Sequence, residues 1–164
     1  MQIGILSDTH NNIENLQAAL QIFRKNNLFT IFHCGDMTRV EVVPLLDGFR
    51  VIYLVGNSDV LWGEIRRSLL ELNPESYGDL IFTGEIDGVK IAAAHGHLDG
   101  VIEGLVRSGE YDFVFCGHSH RHNEVYVGKT RLINPGALGG LKVEPRSICQ
   151  LDLDSGLAKF VTLP

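Results

Sequence analysis

The chain has 164 residues and a formal net charge of −6, with 45% hydrophobic and 21% charged residues. These values are close to globular averages, which excludes a disordered, collagen-like or coiled-coil chain. The acidic balance makes a long nucleic acid an unexpected partner. We predict one domain over residues 1–164. Because no apolar run approaches about 20 residues and the first residues carry no signal-peptide pattern, we expect a cytoplasmic protein with no membrane partner.

The first two thirds of the chain alternate predicted strands with predicted helices. In chain order they are a strand over 2–7, a helix over 13–26, a strand over 28–33, a short helix over 40–46, a strand over 50–55, a helix over 60–72, strands over 80–83 and 89–95, a helix over 98–107 and a strand over 111–116. The last third contains only predicted strands, over 124–127, 130–133, 147–153 and 158–163. This order predicts an α/β fold of two packed mixed β-sheets flanked by helices.

Polar side chains collect where the predicted strands end. The set comprises Asp8, His10, Asp36, Asn57, His95, His118 and His120. In open α/β sheets, ligands bind beyond the carboxyl ends of the strands, so we expect these side chains to meet. Two carboxylates, one carboxamide and four imidazoles provide nitrogen and oxygen donors, which suit manganese, iron, zinc or cobalt. The cysteines Cys34, Cys116 and Cys149 form no Cys-x-x-Cys pair and are expected to be buried, reduced thiols.

Seven candidate ligands are more than one ion takes, so the sequence predicts two ions. The turn at Gly35-Asp36 leaves the Asp36 carboxylate unshielded and favours it as the bridge between them. Two ions about 3.5–4 Å apart clamp the attacking and leaving oxygens of an in-line phosphoryl displacement, and the bridging water becomes the nucleophile. With Asp8, Asp36 and a bridging hydroxide, the centre keeps a charge of about +1, which suits a phosphodiester anion.

Five short motifs in this set resemble those of the calcineurin-like metallophosphoesterase superfamily, in order and spacing similar to its small bacterial and archaeal phosphodiesterases. They are Asp8-Thr9-His10, Gly35-Asp36, Gly56-Asn57-Ser58-Asp59, His95-Gly96-His97 and Gly117-His118-Ser119-His120, and the likeness extends through Asn134-Pro135-Gly136-Ala137. The resemblance implies a sandwich of two mixed sheets and a metal-dependent phosphodiesterase acting on a small phosphodiester. It implies two divalent ions, manganese first, with zinc, iron, nickel or cobalt as alternatives.

The resemblance also implies how the ligands divide. One ion would be held by Asp8, His10, Asp36 and His120, and the other by Asp36, Asn57, His95 and His118. Asn57 and His97 are the candidate catalytic residues. Because the imidazoles must be neutral to bind metal, we expect activity to fall below about pH 6.5.

The sequence departs from the larger phosphatases of the superfamily after two motifs. Ser58 stands where those enzymes place the histidine that protonates the leaving group. Residues 37–39 lack the aspartate that orients that histidine. The usual general acid is therefore missing, and the proton donor is not assigned by the sequence.

Other polar residues have weaker claims to a role. His97 either contacts the substrate phosphate or caps the following helix, and His122 is either the missing proton donor or a surface histidine. His33 is expected to be structural, and Asp59 a turn residue or a supporting carboxylate. Arg39 is expected to be solvated.

Three alternatives compete with the phosphodiesterase. A phosphomonoesterase with the same metals stays open, as do the natural substrate, the physiological metal and assembly into a homo-oligomer. A non-catalytic scaffold of the same fold would have lost ligands, whereas the set here is complete. A zinc β-lactamase-like hydrolase needs a His-x-His-x-Asp-His run, and His95-Gly96-His97 is followed by Leu98-Asp99-Gly100.

Overall fold

The secondary structure of residues 1–163 is described by a computed structural model, and Pro164, the last residue of the predicted domain, lies outside the described residues. The strands are β1 Gln2–Leu6, β2 Thr30–His33, β3 Arg50–Leu54, β4 Tyr77–Asp79, β5 Ile81–Ile86, β6 Val89–Ala94, β7 Phe113–Phe115, β8 His122–Val127, β9 Thr130–Pro135, β10 Ser147–Asp152 and β11 Ala158–Thr162. The helices are α1 Ile13–Lys25, α2 Trp62–Leu72 and α3 Val101–Arg107, with a 3₁₀ helix at Val40–Leu46.

The strands form two mixed sheets, as the alternating pattern predicts. The first has the order β11-β10-β1-β2-β3-β4, in which β1 to β4 run parallel, β10 is antiparallel to β1, and β11 is antiparallel to β10. The second has the order β5-β6-β7-β9-β8, with β6, β7 and β9 parallel between two antiparallel edge strands. The predicted α/β fold of two mixed sheets flanked by helices is confirmed.

Alternate residues of the first sheet's central strands pack into two different cores. Ile5, Phe32 and Ile52 belong to a buried cluster shared with Phe115 of the second sheet. Their neighbours in sequence, such as Ile31, belong to a second cluster shared with α1 and α2. Because successive side chains of a strand point to opposite faces, these apolar runs are buried on both sides, which is typical of parallel strands covered by helices.

Helix α1 follows its sequence signals closely. The Asn12 side chain accepts a hydrogen bond from the backbone N–H of Asn15 at 3.0 Å and caps the first turn. Leu16, Leu20 and Phe23 lie at helical spacing and are fully buried against the first sheet. The capped start fixes where the loop after β1 ends, and that loop carries two of the candidate ligands.

The structure differs from the predicted elements in the type of one helix, in the start of two others and in one additional strand. The segment over 40–46 is a 3₁₀ helix that contains Pro44, which has no N–H to donate. Helix α2 begins at Trp62 and α3 at Val101, each later than predicted. Strand β4, Tyr77–Asp79, was not predicted, because three residues are too short to show an alternating pattern. These differences leave the order of the candidate ligands along the sheet edges unchanged.

The three cysteines are free and buried, as the sequence predicts for reduced thiols. Burial raises the pKa of the Cys116 and Cys149 thiols to about 12. The candidate metal site therefore draws on nitrogen and oxygen donors. Among residues 1–163, no helix combines the length and the apolar character that a membrane crossing requires.

Candidate metal centre

The candidate ligands lie in loops that follow parallel strands of both sheets. Asp8, Asp36 and Asn57 follow β1, β2 and β3 of the first sheet. His95 follows β6 of the second sheet, and His118 and His120 follow the adjacent strand β7. Because the carboxyl ends of these strands meet where the two sheets pack together, residues far apart in sequence are brought to one place.

Five of the seven candidate ligands adopt the left-handed backbone conformation. The φ angles are 52° at Asp8, 43° at His10, 56° at Asp36, 66° at His118 and 57° at His120. Non-glycine residues rarely adopt this conformation, and it concentrates at functional sites where surrounding contacts enforce it. Here the loops after β1 and β2 are joined by hydrogen bonds. The backbone N–H groups of Asp8 and His10 donate to the carbonyls of Gly35 and Asp36, each at 2.9 Å.

Two buried carboxylate oxygens face three imidazole nitrogens. Asp8 Oδ1 lies 3.2 Å from His120 Nε2, 3.9 Å from His10 Nε2 and 4.0 Å from His95 Nε2. Asp36 Oδ2 lies between two of these rings, 3.5 Å from His10 Nε2 and 3.6 Å from His95 Nε2. Two groups of mutually close ligand atoms result, Asp8–His10–His120 and Asp8–Asp36–His95, and they share Asp8.

The remaining predicted ligands lie at the edge of this cluster. Asn57 Oδ1 is 3.2 Å from His95 Nε2. The His118 ring centroid is 5.1 Å from that of His95, and its backbone N–H donates to Asp8 Oδ2 at 3.0 Å. His118 belongs to neither group of close ligand atoms, and its side chain is exposed together with that of Asn57.

The hydrogen bonds of two rings select the tautomer that a metal ligand needs. His95 Nδ1 lies 2.6 Å from the Cys34 carbonyl, and His120 Nδ1 lies 2.8 Å from the Leu141 carbonyl. A carbonyl only accepts, so Nδ1 carries the proton in both rings and Nε2 keeps its lone pair. Both Nε2 lone pairs therefore face the carboxylates, and His10 Nε2 lies 3.3 Å from His120 Nε2.

The residues present fit a divalent ion. Asp8 Oδ1 is buried and has no hydrogen-bond partner among the described residues, although three imidazoles surround it. Burial is the main cause that raises the pKa of Asp8, and a hydrogen bond from Ser7 opposes it. A buried carboxylate oxygen that faces imidazole lone pairs is a donor set that a divalent ion would satisfy.

Sequence reasoning did not identify several residues that hold the ligands. Ser7 Oγ donates to Asp8 Oδ2 at 2.6 Å. A Cβ atom at Gly140, which has a φ of 62°, would collide with the His10 and His120 rings. The glycine-rich stretch over 136–140 was the available signal, but the sequence does not show that this loop lies against the ends of the strands.

Asp59 and Ser58, which follow Asn57 in the sequence, hold the loops of the candidate site in place through hydrogen bonds. Asp59 accepts hydrogen bonds from the backbone N–H groups of Asp36, Thr38 and Gly56 at 2.9, 2.6 and 2.8 Å. Its carboxylate therefore ties the loop after β2 to the loop after β3, in agreement with the predicted supporting role. Ser58 donates to Asp36 from its backbone N–H at 2.8 Å and from its hydroxyl at 3.0 Å.

Three further polar residues lie in distinct environments. The ring centroid of His97 lies 5.4 Å from that of His95 and 6.5 Å from that of His118. Burial, followed by the neighbouring histidines, lowers the pKa of His97. His122 pairs with Glu144 at 3.0 Å, and Arg39 is exposed.

His33 is a buried neutral histidine behind the site. Its Nε2 lies 2.7 Å from the Thr9 hydroxyl, and burial lowers its pKa to about 3. The unfolded chain protonates this ring below about pH 6.5, whereas the folded chain keeps it neutral. The stability that His33 contributes is therefore complete above pH 6.5 and is lost as the pH falls towards its folded pKa.

We expect His33→Gln to reduce the loss of unfolding free energy that occurs as the pH falls below about 6.5. In chelator-treated protein, the free energy of unfolding of the wild type should fall by about 2 kcal/mol more than that of the variant between pH 7.5 and 5.0. Denaturant titrations at the two pH values measure this difference. His122→Gln is the control, because that side chain is half exposed. Parallel losses in the wild type and His33→Gln would contradict the assignment.

Comparison with known proteins identifies the family. A model described as the calcineurin-like phosphoesterase superfamily domain matches residues 1–156. A phosphodiesterase of Methanocaldococcus jannaschii is 35% identical over 142 residues, which span 85% of this chain and 86% of that protein. A solved structure characterised as an archaeal phosphodiesterase is 33% identical, with a TM-score of 0.94 over 99% of this chain and 100% of that chain.

A more distant structure shares the fold alone. It is a phosphoesterase from E. coli, 19% identical with a TM-score of 0.70, and the match covers 100% of both chains. The family match over most of the chain agrees with the two mixed sheets and with the carboxylate–imidazole cluster at their strand ends. The chain therefore belongs to the calcineurin-like phosphoesterase superfamily and is a metal-dependent hydrolase of phosphate esters.

Proposed function

We propose that the protein is a phosphodiesterase with two divalent ions at this centre. The observation that carries the proposal is the position of Asp36 Oδ2, 3.5 Å from His10 Nε2 and 3.6 Å from His95 Nε2, where one carboxylate reaches a ligand of each proposed site. A phosphodiesterase that is 35% identical over most of its length supports the same activity.

The ligands divide between the two sites as follows in this proposal. Asp8, His10, Asp36 and His120 would hold one ion, and Asp36, Asn57, His95 and His118 would hold the other. When bound, the ions supply a water of lowered pKa as the nucleophile and stabilise the charge that develops in an in-line displacement at phosphorus. Manganese suits the mixed nitrogen and oxygen donors, with zinc, iron, nickel or cobalt as alternatives.

The chain's own residues orient the carboxylates and the substrate. The two hydrogen bonds from Ser58 fix Asp36, so the Ser58 hydroxyl proton is directed at Asp36. That proton is then not aimed at a departing ester oxygen. His97, whose pKa is lowered by burial and by its neighbours, is neutral near pH 7 and can donate one N–H to a phosphate oxygen. In this proposal the carboxamide of Asn57, at the edge of the ligand cluster, binds the second ion.

The charge of the centre favours a diester over a monoester. In the described structure, the carboxylates of Asp8 and Asp36 lie within 4.0 Å of histidine nitrogens, and no lysine or arginine forms an ion pair with them. The proposed centre keeps a charge of about +1, which matches a monoanionic diester better than a dianionic monoester. A small phosphodiester is the proposed substrate, since the net charge of −6 disfavours a long polyanion.

We expect activated phosphodiesters to be hydrolysed faster than the matching monoesters. Bis(4-nitrophenyl) phosphate should exceed 4-nitrophenyl phosphate in kcat/KM by about tenfold or more, because the dianion lacks partners for its second charge. Both rates are measured on one metal-loaded preparation at one pH, with metal content determined on the same sample. Equal or faster monoester turnover would favour the phosphomonoesterase, and no turnover of either would favour the scaffold.

A further inference from the structure

A groove lies beside the loop that carries the candidate ligand Asn57 and its neighbour Ser58. Its cavity has a volume of about 460 Å³, and its lining includes Thr38 and Ser58. The Ser58 hydroxyl also donates to Asp36 Oδ2, so the groove and the cluster of ligands have Ser58 as a common boundary residue. A smaller cavity of about 200 Å³ is lined in part by His118 and Asn134. The larger volume falls within the range of about 300–1,000 Å³ that is typical of small-molecule sites.

The wall of this groove exposes apolar side chains. Val60 is 85% exposed and Leu61 is 51% exposed, and the partly buried Val40 also contributes to the lining. Val60 and Leu61 directly follow the Gly56-Asn57-Ser58-Asp59 motif, so the segment that supplies a candidate ligand also supplies the apolar wall. Leu61 occupies the N-cap position of α2 without a side-chain hydrogen bond, a position where serine, threonine, aspartate or asparagine is preferred.

The charged residues of the groove disfavour an anionic occupant. Arg39 brings one positive charge, and Glu41 and Glu64 bring two negative charges. The local balance of about −1 opposes a second phosphate or a carboxylate in the groove. An uncharged apolar group suits this groove for two reasons. Burying its apolar surface against Val60 and Leu61 is favourable, and it is not repelled by the local negative charge.

We propose that this groove binds one ester substituent of the substrate and selects uncharged, apolar substituents larger than methyl. The proposal rests on the proposed phosphodiesterase function and adds the substrate class to it: diesters with at least one bulky apolar arm. Val60 and Leu61 are then specificity-determining residues that contact the arm, with no part in the chemistry at phosphorus.

The test measures kcat/KM on small diesters that differ in one arm at a time. Methyl 4-nitrophenyl phosphate is the reference. One compound enlarges the leaving arm to 3-propyl-4-nitrophenyl, since a meta-propyl group adds apolar area with little effect on the acidity of the phenol. Another enlarges the retained arm from methyl to butyl. The wild type should prefer one of the two enlarged diesters by about tenfold, which corresponds to partial burial of three added carbons.

The variant Val60→Ser/Leu61→Ser should lose most of that preference. We expect a residual ratio of about twofold or less between the preferred enlarged diester and the methyl reference. Exposed sites tolerate such changes, and serine at the Leu61 position can cap α2. Leu157→Ser, an exposed leucine in the turn between β10 and β11, is the matched control and should keep the full preference. Replacing the preferred alkyl group by carboxyethyl should abolish the gain.

Three results would overturn the proposal. The first is a wild type indifferent to the size of both arms while it hydrolyses the reference diester, which leaves the phosphodiesterase function intact. The second is a size preference that survives in the double variant, particularly if sedimentation equilibrium shows a changed oligomeric state, since the apolar wall would then be an interface between copies. The third is no turnover of any diester by the metal-loaded protein, which overturns the proposed function as well.

Discussion

Replacing Asp36 with alanine is expected to remove both metal ions and to lower phosphodiester turnover by at least about 10³-fold. The Asp36 Oδ2 atom lies 3.5 Å from His10 Nε2 and 3.6 Å from His95 Nε2, so its loss affects both proposed sites. Metal ions contribute several kcal/mol of charge stabilisation in the transition state, which corresponds to about three decades in rate. Metal content per chain and kcat/KM for bis(4-nitrophenyl) phosphate are the two measurements.

His120→Ala separates the two sites in the same experiment. Its Nε2 is 3.2 Å from Asp8 Oδ1, within the group that excludes His95. This variant should lose mainly one ion, whereas Asp47→Ala, an exposed carboxylate outside the cluster, should keep two. Asp36→Asn keeps the side-chain volume and shows whether charge or shape is responsible. A wild type that binds a single ion, or an Asp36→Ala protein that retains two, would refute the dinuclear centre.

The rate should depend steeply on the leaving group. The hydroxyl of Ser58 is directed at Asp36, and this serine occupies the position directly after Asn57, where a histidine could protonate the departing oxygen. General acid catalysis contributes about 10²–10⁴-fold, and the enzyme forgoes much of it for alkoxide leaving groups. Aryl diesters should therefore react well and dialkyl diesters poorly across a series that spans the leaving-group pKa.

The same series of leaving groups should be measured on variants of Ser58, His97 and His122. Ser58→His should help poor leaving groups more than good ones. His97→Ala and His122→Ala should affect all leaving groups alike if neither ring donates the proton. A nearly flat series in the wild type would show that a general acid is present. Selective loss on alkyl esters in one histidine variant would then identify the donor.

The fold and the position of the site were predictable from local patterns. Short apolar runs such as 28–33 predict buried strands, and polar residues such as Asp36 directly after them predict a shared edge. The structure brings Asp8, Asp36 and His95 to that edge, as expected from the strand order. Their roles as metal ligands stay predictions until metal content is measured.

The contacts that orient the candidate ligands could not be predicted from the sequence, because they join segments that are far apart along the chain. The carbonyl of Leu141 orients His120, and its role depends on the path of the loop over 136–146. The membership of Asp8 in both groups of close ligand atoms also depends on the left-handed backbone at Asp8, which no side-chain pattern specifies. Likewise, β4 forms because β3 offers a parallel edge at Ile52, and the sequence of β4 alone does not reveal this pairing.

The origin of the ligands in both sheets makes metal binding a reversible crosslink of the chain. His10 and His120 meet at 3.3 Å across 110 positions of sequence, and each belongs to a different sheet's strand ends. An ion held by both would bind the folded chain, where the two rings meet, and not the unfolded chain, so it would stabilise the fold by mass action. A chain with three buried, unpaired cysteines would thus gain a covalent-like tie between its sheets that depends on the free concentration of metal. Metal supply would then determine both how fast the protein reacts and how long it stays folded.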